Sequence, residues 1–206
     1  MALPRASTRH MINRFSYGYT PSLQKAIGKA GGPREWFEAQ LKPSSIADKN
    51  ADAMKAWFPY LRSSSRTRQQ ADRKGKRSQW ELSQDLIRWT ILRRMSSNRQ
   101  VHEIMVDFWS NLLHVPGFSD GWMLRASYDT TIRKYALGKF STLLIKATTH
   151  PAMMAFLNSA GSTKHSVNEN HGRELLELHT VGVRASYTWP STRRRRSGWP
   201  PGSARG

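Results

Sequence analysis

The chain has 206 residues, a formal net charge of +19 at neutral pH and no cysteine, which excludes disulfide bonds and thiolate chemistry. Its hydrophobic content of 38% is lean but sufficient for one core in a chain of this length. No apolar run approaches the roughly 18 residues of a membrane span, and the first ten residues lack the apolar core of a signal peptide, so we expect a cytoplasmic chain by default.

Helix signals dominate the N-terminal third of the chain. Apolar spacing predicts a short helix over 7–15, and Thr20 followed by Pro21 is typical of an N-cap and a first helical residue. Pro33 predicts the start of the next helix, in which three residues are expected to pack inward: Trp36, Phe37 and Leu41. Four further apolar residues at helical spacing predict one continuous helix: Met54, Trp57, Phe58 and Leu61.

A basic block with a single acid, Asp72, follows over 62–77. We interpret it as a surface loop or a solvated extension of a helix. Contact with nucleic acid is the alternative, and it would use the basic residues of the block: Arg62, Arg66, Arg68, Arg73, Lys74, Lys76 and Arg77. The solvated segment is favoured because no aromatic residues are interleaved to stack on bases.

Two longer helices are predicted next. The first covers 80–95, and Asn98 is expected to cap the second, over 101–113. The second has an unbroken apolar face: Val101, Ile104, Met105, Phe108, Trp109, Leu112 and Leu113. Its other face carries side chains that could supply ligands or a general base: Glu103, Asp107, Asn111 and His114. A charged face toward solvent is the default for such a helix, with catalysis as the alternative.

The segment from 120 to 157 predicts three more helices. Asp120 is expected to cap a helix over 122–137, and Gly138 is expected to end it. The following apolar face is formed by Phe140, Leu143, Leu144 and Ala147. A short helix then begins at Pro151, and we interpret His150 as a cap rather than a metal ligand.

The segment SVNENHGRELLELHTVGV, over 166–183, has a helix start signal and a helix stop signal. Ser166 and Glu169 form the S-x-x-E capping-box pattern, and Gly182 is a typical stop. Four polar residues share one side of the predicted helix: Asn170, Arg173, Glu174 and Glu177. They form either a salt-bridged face or an enclosed cluster in which the two acids bind a metal or exchange a proton. His179 lies nearly opposite, which disfavours a Glu-x-x-His metal motif.

This segment resembles the signature of the bacterial family catalogued as domain of unknown function 1800, an N-E-N-x-x-R-E-L-L-E-L-x-x-x-G run. Other similar pieces, in order, are RHMINRFSYGYTP, MVDFWSN and IRKYALGKFSTLLIKATTHPAMMAFLN. The resemblance implies a family without an established activity, whose members are usually longer. It stops at Thr188, inside the family's Y-T-x-x-D-V run, and Leu112 stands where members often have a histidine, which puts a shared activity in doubt.

The residues 184–206 include six arginines and no acid. We expect this tail to be disordered, because it has no Leu, Ile, Val, Met or Phe to form a core face. It is either a basic arm that grips nucleic acid or, as we prefer, the product of a shifted reading frame in a truncated family member. Truncation would leave apolar surface exposed and stability marginal, and we expect the chain to associate through that surface.

The sequence thus predicts an all-α, irregular multi-helix domain of about ten short to medium helices over 1–183, with the tail attached. Two functional hypotheses stay open. The first is a metal-dependent or hydrolytic site in the full-length relatives, impaired here, formed by Asn170, Arg173, Glu174 and Glu177 with Asp107 or His114. The second is a non-catalytic module that binds nucleic acid or another polyanion through 62–77 and the tail. The sequence specifies neither the cofactor nor the substrate.

Overall fold

A computed structural model of the protein describes residues 4–159, 161–163 and 170–182. Over these ranges the chain is helical and has no β-strand, which confirms the all-α prediction. The α-helices are α1 (Ala6–Phe15), α2 (Pro21–Lys29), α3 (Pro33–Gln40), α4 (Lys49–Met54), α5 (Ser65–Arg73), α6 (Gln79–Ser96), α7 (Gln100–Leu112), α8 (Arg125–Tyr135), α9 (Phe140–Thr148), α10 (Pro151–Phe156) and α11 (Asn170–Glu177). Short 3-10 helices lie at Pro43–Ser45, Lys55–Trp57, Pro59–Arg62 and Trp122–Leu124. The predicted tail and the predicted capping box lie outside the described residues.

Local capping fixes where several helices begin. The Thr20 hydroxyl accepts the Leu23 amide of α2 at 3.1 Å, as its sequence predicts. The longest helix, α6, begins at a capping box that the sequence analysis missed: the Ser78 hydroxyl accepts the Glu81 amide, and the Glu81 carboxylate accepts the Ser78 amide at 2.8 Å. At α10, His150 Nδ1 accepts the Ala152 amide at 3.1 Å, which confirms His150 as a cap.

The central helix of the fold is α7, which belongs to two apolar clusters. Near its start, Val101 packs with α1, α2 and α3 through buried residues Ile12, Ile27 and Trp36. Near its end, Val106 and Leu113 pack with buried residues of α8, α9 and α10: Tyr128, Ile132, Ala136, Leu143, Ala147, Ala152 and Met153. The buried Tyr128 hydroxyl donates to the Leu113 carbonyl at 2.7 Å, which joins α8 to α7. The prediction of a core helix over 101–113 is confirmed, but the predicted apolar face is only partly buried, since Phe108 is 54% exposed and the buried Val106 lies outside that face.

Some local predictions are wrong. The helix expected around Met54 to Leu61 is broken into α4 and two 3-10 turns, because Pro59 lacks an amide donor. Trp57 is 65% exposed and Leu41 46% exposed, so neither packs inward. Asn98 does not cap α7, since its side chain donates to the Ala47 carbonyl at 2.9 Å. Asp120 does not cap the helix that follows it, which starts as the 3-10 turn at Trp122–Leu124.

The polar face of α7 has an environment opposite to the default expectation, whereas the stripe on α11 agrees with the alternative of a face that is not enclosed. Glu103, assigned by default to a solvent-facing side of α7, is only 1% exposed. On α11, Arg173 is exposed, and Glu174 and Glu177 are partly buried, so this stripe is not enclosed. Gly182 has the predicted left-handed conformation, with φ of +86°. None of the helices in the described residues has the length and apolar character of a membrane span.

Candidate functional site

A cleft of about 390 Å³ lies between α6, α7 and α8, and α5 contributes to its wall. Its wall is rich in charge: four arginines, Arg68, Arg94, Arg125 and Arg133, and three carboxylates, Glu103, Asp107 and Asp129. We call it the arginine cleft. Its volume is within the range of small-molecule sites, and its charged side chains come from helices that are separated in sequence.

A buried ion network forms the base of the arginine cleft, with Glu103 at its centre. Glu103 Oε1 accepts from Arg93 Nε at 2.7 Å, and Glu103 Oε2 accepts from Arg133 Nη1 at 2.6 Å. Arg93 also donates to Asp48 at 3.0 Å, and Arg133 donates to Asp129 at 2.8 Å. The carboxylates therefore already have cationic partners, and the network ties the segment before α4 to α6, α7 and α8.

The network keeps Glu103 ionised. Burial raises the pKa of its carboxyl, but His102 and the charges of Arg133 and Arg93 together hold the pKa well below its ordinary value. Because His102 Nδ1 is 3.9 Å from Glu103 Oε1, too far for a hydrogen bond, we attribute the lowering mainly to the two guanidinium groups. Glu103 is therefore a fixed negative charge rather than a proton donor at neutral pH.

Asp107 lies one turn beyond Glu103 on α7 and pairs with Arg94 of α6. The Arg94 guanidinium also lies 5.6 Å from the centre of the Tyr17 ring. Burial and the charge of Asp107 raise the pKa of Tyr17 to about 12, against the opposing effect of Arg94. The Tyr17 hydroxyl donates to the Glu103 carbonyl at 3.1 Å, so the loop after α1 is fastened to the same part of α7.

Two other arginines of the cleft have no carboxylate partner within ion-pair distance among the described residues: Arg68 and Arg125. Arg68 is 5% exposed and donates to backbone carbonyls of Met123, Tyr60 and Ser63. Arg125 lies over the Tyr128 ring at 5.7 Å, and its Nε has no hydrogen-bond partner in the described part of the chain. Burial lowers the pKa of both guanidinium groups, although the charge of Asp129 opposes this change at Arg125.

The predicted site residues fall into two groups. Asp107, Asn111 and His114 all line the arginine cleft, and the side chains of Asn111 and His114 make no hydrogen bond with the described residues. The predicted residues of α11, namely Arg173, Glu174 and Glu177, do not line it, and Asn170 is the first residue of that helix. Over the described residues, no three His, Asp or Glu side chains are arranged to hold a metal ion.

The helix α11 is fastened to the end of α7 by His179, which is 7% exposed. Its Nδ1 donates to the Leu112 carbonyl at 3.1 Å. Burial lowers the pKa of the His179 ring, although this hydrogen bond and the charge of Glu174 oppose the change. The signature helix therefore packs beside α7, while the charged groups of the cleft come from α5, α6, α7 and α8.

Comparison with known proteins decides the family. Residues 10–190 match the model of the family described as "Protein of unknown function (DUF1800)". The chain belongs to this family. No curated protein and no solved structure matches it. The matched range contains every helix that lines the arginine cleft, so the cleft lies in the DUF1800 region of the chain.

The basic block of this DUF1800 chain is largely helical, with α5 over Ser65–Arg73. Two of its seven cations are bound internally: Arg68 by backbone carbonyls and Arg77 by Asp85, with Nη2 to Oδ1 at 2.7 Å. The other cations are exposed, namely Arg62, Arg66, Arg73, Lys74 and Lys76. The block is therefore partly a structural element and only partly a free basic surface.

Sequence reasoning missed Arg125 and Arg133 as site residues of this DUF1800 chain. The sequence does contain a pattern that points to them. One side of α8 carries three charged residues spaced by four, namely Arg125, Asp129 and Arg133. This spacing alone also fits an exposed ion-paired face. What distinguishes the site is the burial of the two arginines, and burial depends on how α8 packs on α7.

Proposed function

We propose that this DUF1800 chain binds a small anionic molecule in the arginine cleft. The observation that carries the proposal is that Arg125 is desolvated with no carboxylate within ion-pair distance among the described residues, and that Arg68 of the same lining is compensated by carbonyls. A buried cation without a counter-charge is costly, and an anion in the cleft would offset that cost. Two buried donors of the lining arginines have no hydrogen-bond partner among the described residues. They are Arg125 Nε and Arg133 Nη2.

The charge balance of the cleft supports the same proposal. Arg94 is paired with Asp107, and Arg133 with both Glu103 and Asp129. The four arginines and three carboxylates of the wall leave one positive charge in excess, and Arg68 and Arg125 are the two arginines outside the ion pairs. A guanidinium group is well suited to carboxylate or phosphate oxygens because its N–H groups form a rigid planar fork.

A second cavity, of about 760 Å³, is larger but offers fewer unused polar groups. It lies beside Tyr17, Gln40 and Gln100. The Gln40 amide donates to the Asn98 carbonyl at 2.9 Å, and the Gln100 amide donates to the Ser97 carbonyl at 2.7 Å. Because these side chains already stabilise the fold, the arginine cleft is the better candidate despite its smaller volume.

Isothermal titration calorimetry with acetate and inorganic phosphate, in a buffer low in chloride, tests the proposal. The intact chain should bind at least one of the two anions with a Kd on the order of 1 mM or tighter. Arg125→Gln should weaken this binding at least tenfold. Arg66→Gln removes an equal charge from an exposed position on α5 and should leave binding unchanged. Equal weakening by both variants would indicate a nonspecific effect of net charge and would refute the proposal.

A hydrolytic activity in the same cleft is a second candidate, favoured by the presence of Asp107, Asn111 and His114 on its wall. We propose that His114 is the general acid or base and that Asn111 orients the substrate, because both side chains line the cleft and neither makes a hydrogen bond with the described residues. Hydrolysis of p-nitrophenyl acetate and p-nitrophenyl phosphate tests this role. His114→Gln should lower kcat at least tenfold, whereas His10→Gln, on the exposed side of α1, should not. Equal rates in the three proteins would exclude His114.

A further inference from the structure

Part of the lining of the arginine cleft is apolar, and this division specifies the ligand further. Helix α6 contributes Leu82, Leu86, Ile87 and Ile91 beside the ion-paired Arg94, and the segment between α7 and α8 contributes Phe118 and Trp122. Three of these side chains remain open to solvent, since Ile87 is 45% exposed, Ile91 46% and Phe118 55%. Exposed apolar groups that border a concave site are suited to hold the apolar part of a ligand.

The polar side chains that α6 contributes to the lining are Ser83, Thr90 and Arg94, and each has a partner within the protein, Arg94 through Asp107. The Ser83 hydroxyl donates to the Gly117 carbonyl at 3.1 Å, and the Thr90 hydroxyl donates to the Leu86 carbonyl at 2.9 Å. Both hydroxyl hydrogens are thus used within the protein. The side-chain donors without a partner belong to arginines of α8, at Arg125 Nε and Arg133 Nη2, and both atoms are buried in the described part of the chain.

From this division we infer that the ligand is an amphipathic monocarboxylate, with its carboxylate at Arg125 and its apolar body against Ile87, Phe118 and Trp122 of the arginine cleft. The inference rests on the proposed anion-binding function. A single negative charge is preferred to a phosphate monoester, whose charge is close to −2 at neutral pH, because Glu103, Asp107 and Asp129 line the same cleft and would repel the second charge. Aromatic side chains at the rim favour a planar body such as an aryl group.

Calorimetry with four probes measures the contributions of the carboxylate and of the apolar body separately. The probes are benzoate, acetate, benzyl alcohol and inorganic phosphate. Benzoate is expected to bind at least tenfold more tightly than acetate, because its ring adds buried apolar area, and more tightly than phosphate. Benzyl alcohol, which has the ring without the charge, should bind at least tenfold more weakly than benzoate. Binding of acetate and benzoate with equal affinity, both weakened by Arg125→Gln, would overturn the amphipathic ligand and leave the anion-binding function intact.

Two matched variants test the apolar wall without changing the core. Ile87→Ser should weaken benzoate binding at least fivefold and leave acetate binding unchanged. Ile145→Ser, at a 59% exposed position on α9 that does not line the cleft, should change neither. Circular dichroism checks that each variant keeps its helical content. Benzoate affinity that is unchanged by both Ile87→Ser and Arg125→Gln would place benzoate elsewhere and overturn the inference.

Size-exclusion chromatography distinguishes the alternative occupant of the apolar rim, a second copy of this chain. The elution volume of the intact chain should be independent of protein concentration and unchanged by Ile87→Ser. A dimer that dissociates in Ile87→Ser, with no loss of benzoate affinity, would assign Ile87 and Phe118 to self-association and refute the inference. Absence of binding by benzoate, acetate and phosphate alike would refute the proposed function itself.

Discussion

Arg93 and Glu103 form a buried ion pair at the centre of the fold, with Nε and Oε1 2.7 Å apart and side-chain exposures of 8% and 1%. The pair joins α6 to α7. Asp48 accepts a second bond from Arg93 at 3.0 Å, and Arg133 of α8 donates to the other oxygen of Glu103 at 2.6 Å. Because neither charge can turn to water, each group depends on its partners for compensation, and the arrangement of three helices depends on the network.

Removing the charge of Glu103 should destabilise the protein strongly. Glu103→Gln leaves Arg93 and Arg133 without their shared carboxylate, and we expect the free energy of unfolding to fall by about 3–5 kcal/mol, measured by urea denaturation. The control is Glu38→Gln, which breaks an exposed pair with Arg34, with side-chain exposures of 61% and 86%. That change should cost less than about 1 kcal/mol. If the two variants lose similar amounts of unfolding free energy, the buried network stabilises the fold no more than an exposed ion pair does.

The lowered pKa of Glu103 predicts how the free energy of unfolding changes with pH. The pKa of Glu103 is lower in the folded protein than in the unfolded chain, where it is about 4.3. Its stabilising contribution is therefore fully present above the unfolded value and is lost as the pH falls through about 4 toward the folded value. The difference in unfolding free energy between the unmodified chain and Glu103→Gln should be constant from about pH 8 to 5.5 and decrease below about pH 4. A difference that is equally large at low pH would contradict this assignment.

Loss of the capping box at the start of α6 should lower the free energy of unfolding less than loss of the Glu103 charge does. Ser78→Ala removes the hydroxyl that accepts the Glu81 amide, and it should lower the free energy of unfolding by about 1 kcal/mol. Ser44→Ala, at an exposed serine outside the α-helices, should change it by less than about 0.5 kcal/mol. Thermal or urea denaturation measures both. If Ser78→Ala has no more effect than Ser44→Ala, tertiary packing rather than the cap determines where α6 begins.

Local signals in the sequence were sufficient for much of the fold. Thr20 with Pro21 predicts the start of α2, and the apolar spacing over 101–113 predicts the core helix, because caps and periodicity depend on neighbouring residues only. The segment Met54 to Leu61 shows the limit of periodicity. Its spacing fits a helix, but Pro59 and the packing of Phe58 against Trp89 produce short turns instead.

The candidate site was only partly predictable, because burial of a charge is decided by partners far away in sequence. Asp107 and His114 were singled out from their side of α7, and the structure brings both to the arginine cleft. Glu103 lies on the same side, yet its burial requires Arg93 from α6 and Arg133 from α8. Spacing alone does not distinguish such a network from a solvated face, and for the same reason the sequence left both alternatives open for the stripe on α11.

A hydrogen bond from His179 to the Leu112 carbonyl, at 3.1 Å, attaches the segment of α11 to the end of α7. This bond involves one of the carbonyls at the end of α7, where helical partners are missing. His179→Ala should therefore free α11 without disturbing the central helix. Hydrogen exchange followed by mass spectrometry should show faster exchange of amides in 170–182, with amides of α7 and α8 unchanged.

His10→Ala is the matched control for this experiment, because His10 is exposed on α1. It should leave exchange unchanged throughout the chain. Faster exchange in all helices of the His179→Ala variant would instead mean that His179 supports the whole fold. Unchanged exchange in 170–182 would show that α11 is held by its leucines, Leu175 and Leu176, which are partly buried, and not by the histidine. Only the local response, confined to α11, agrees with a signature helix that docks on the end of α7 as a separable unit.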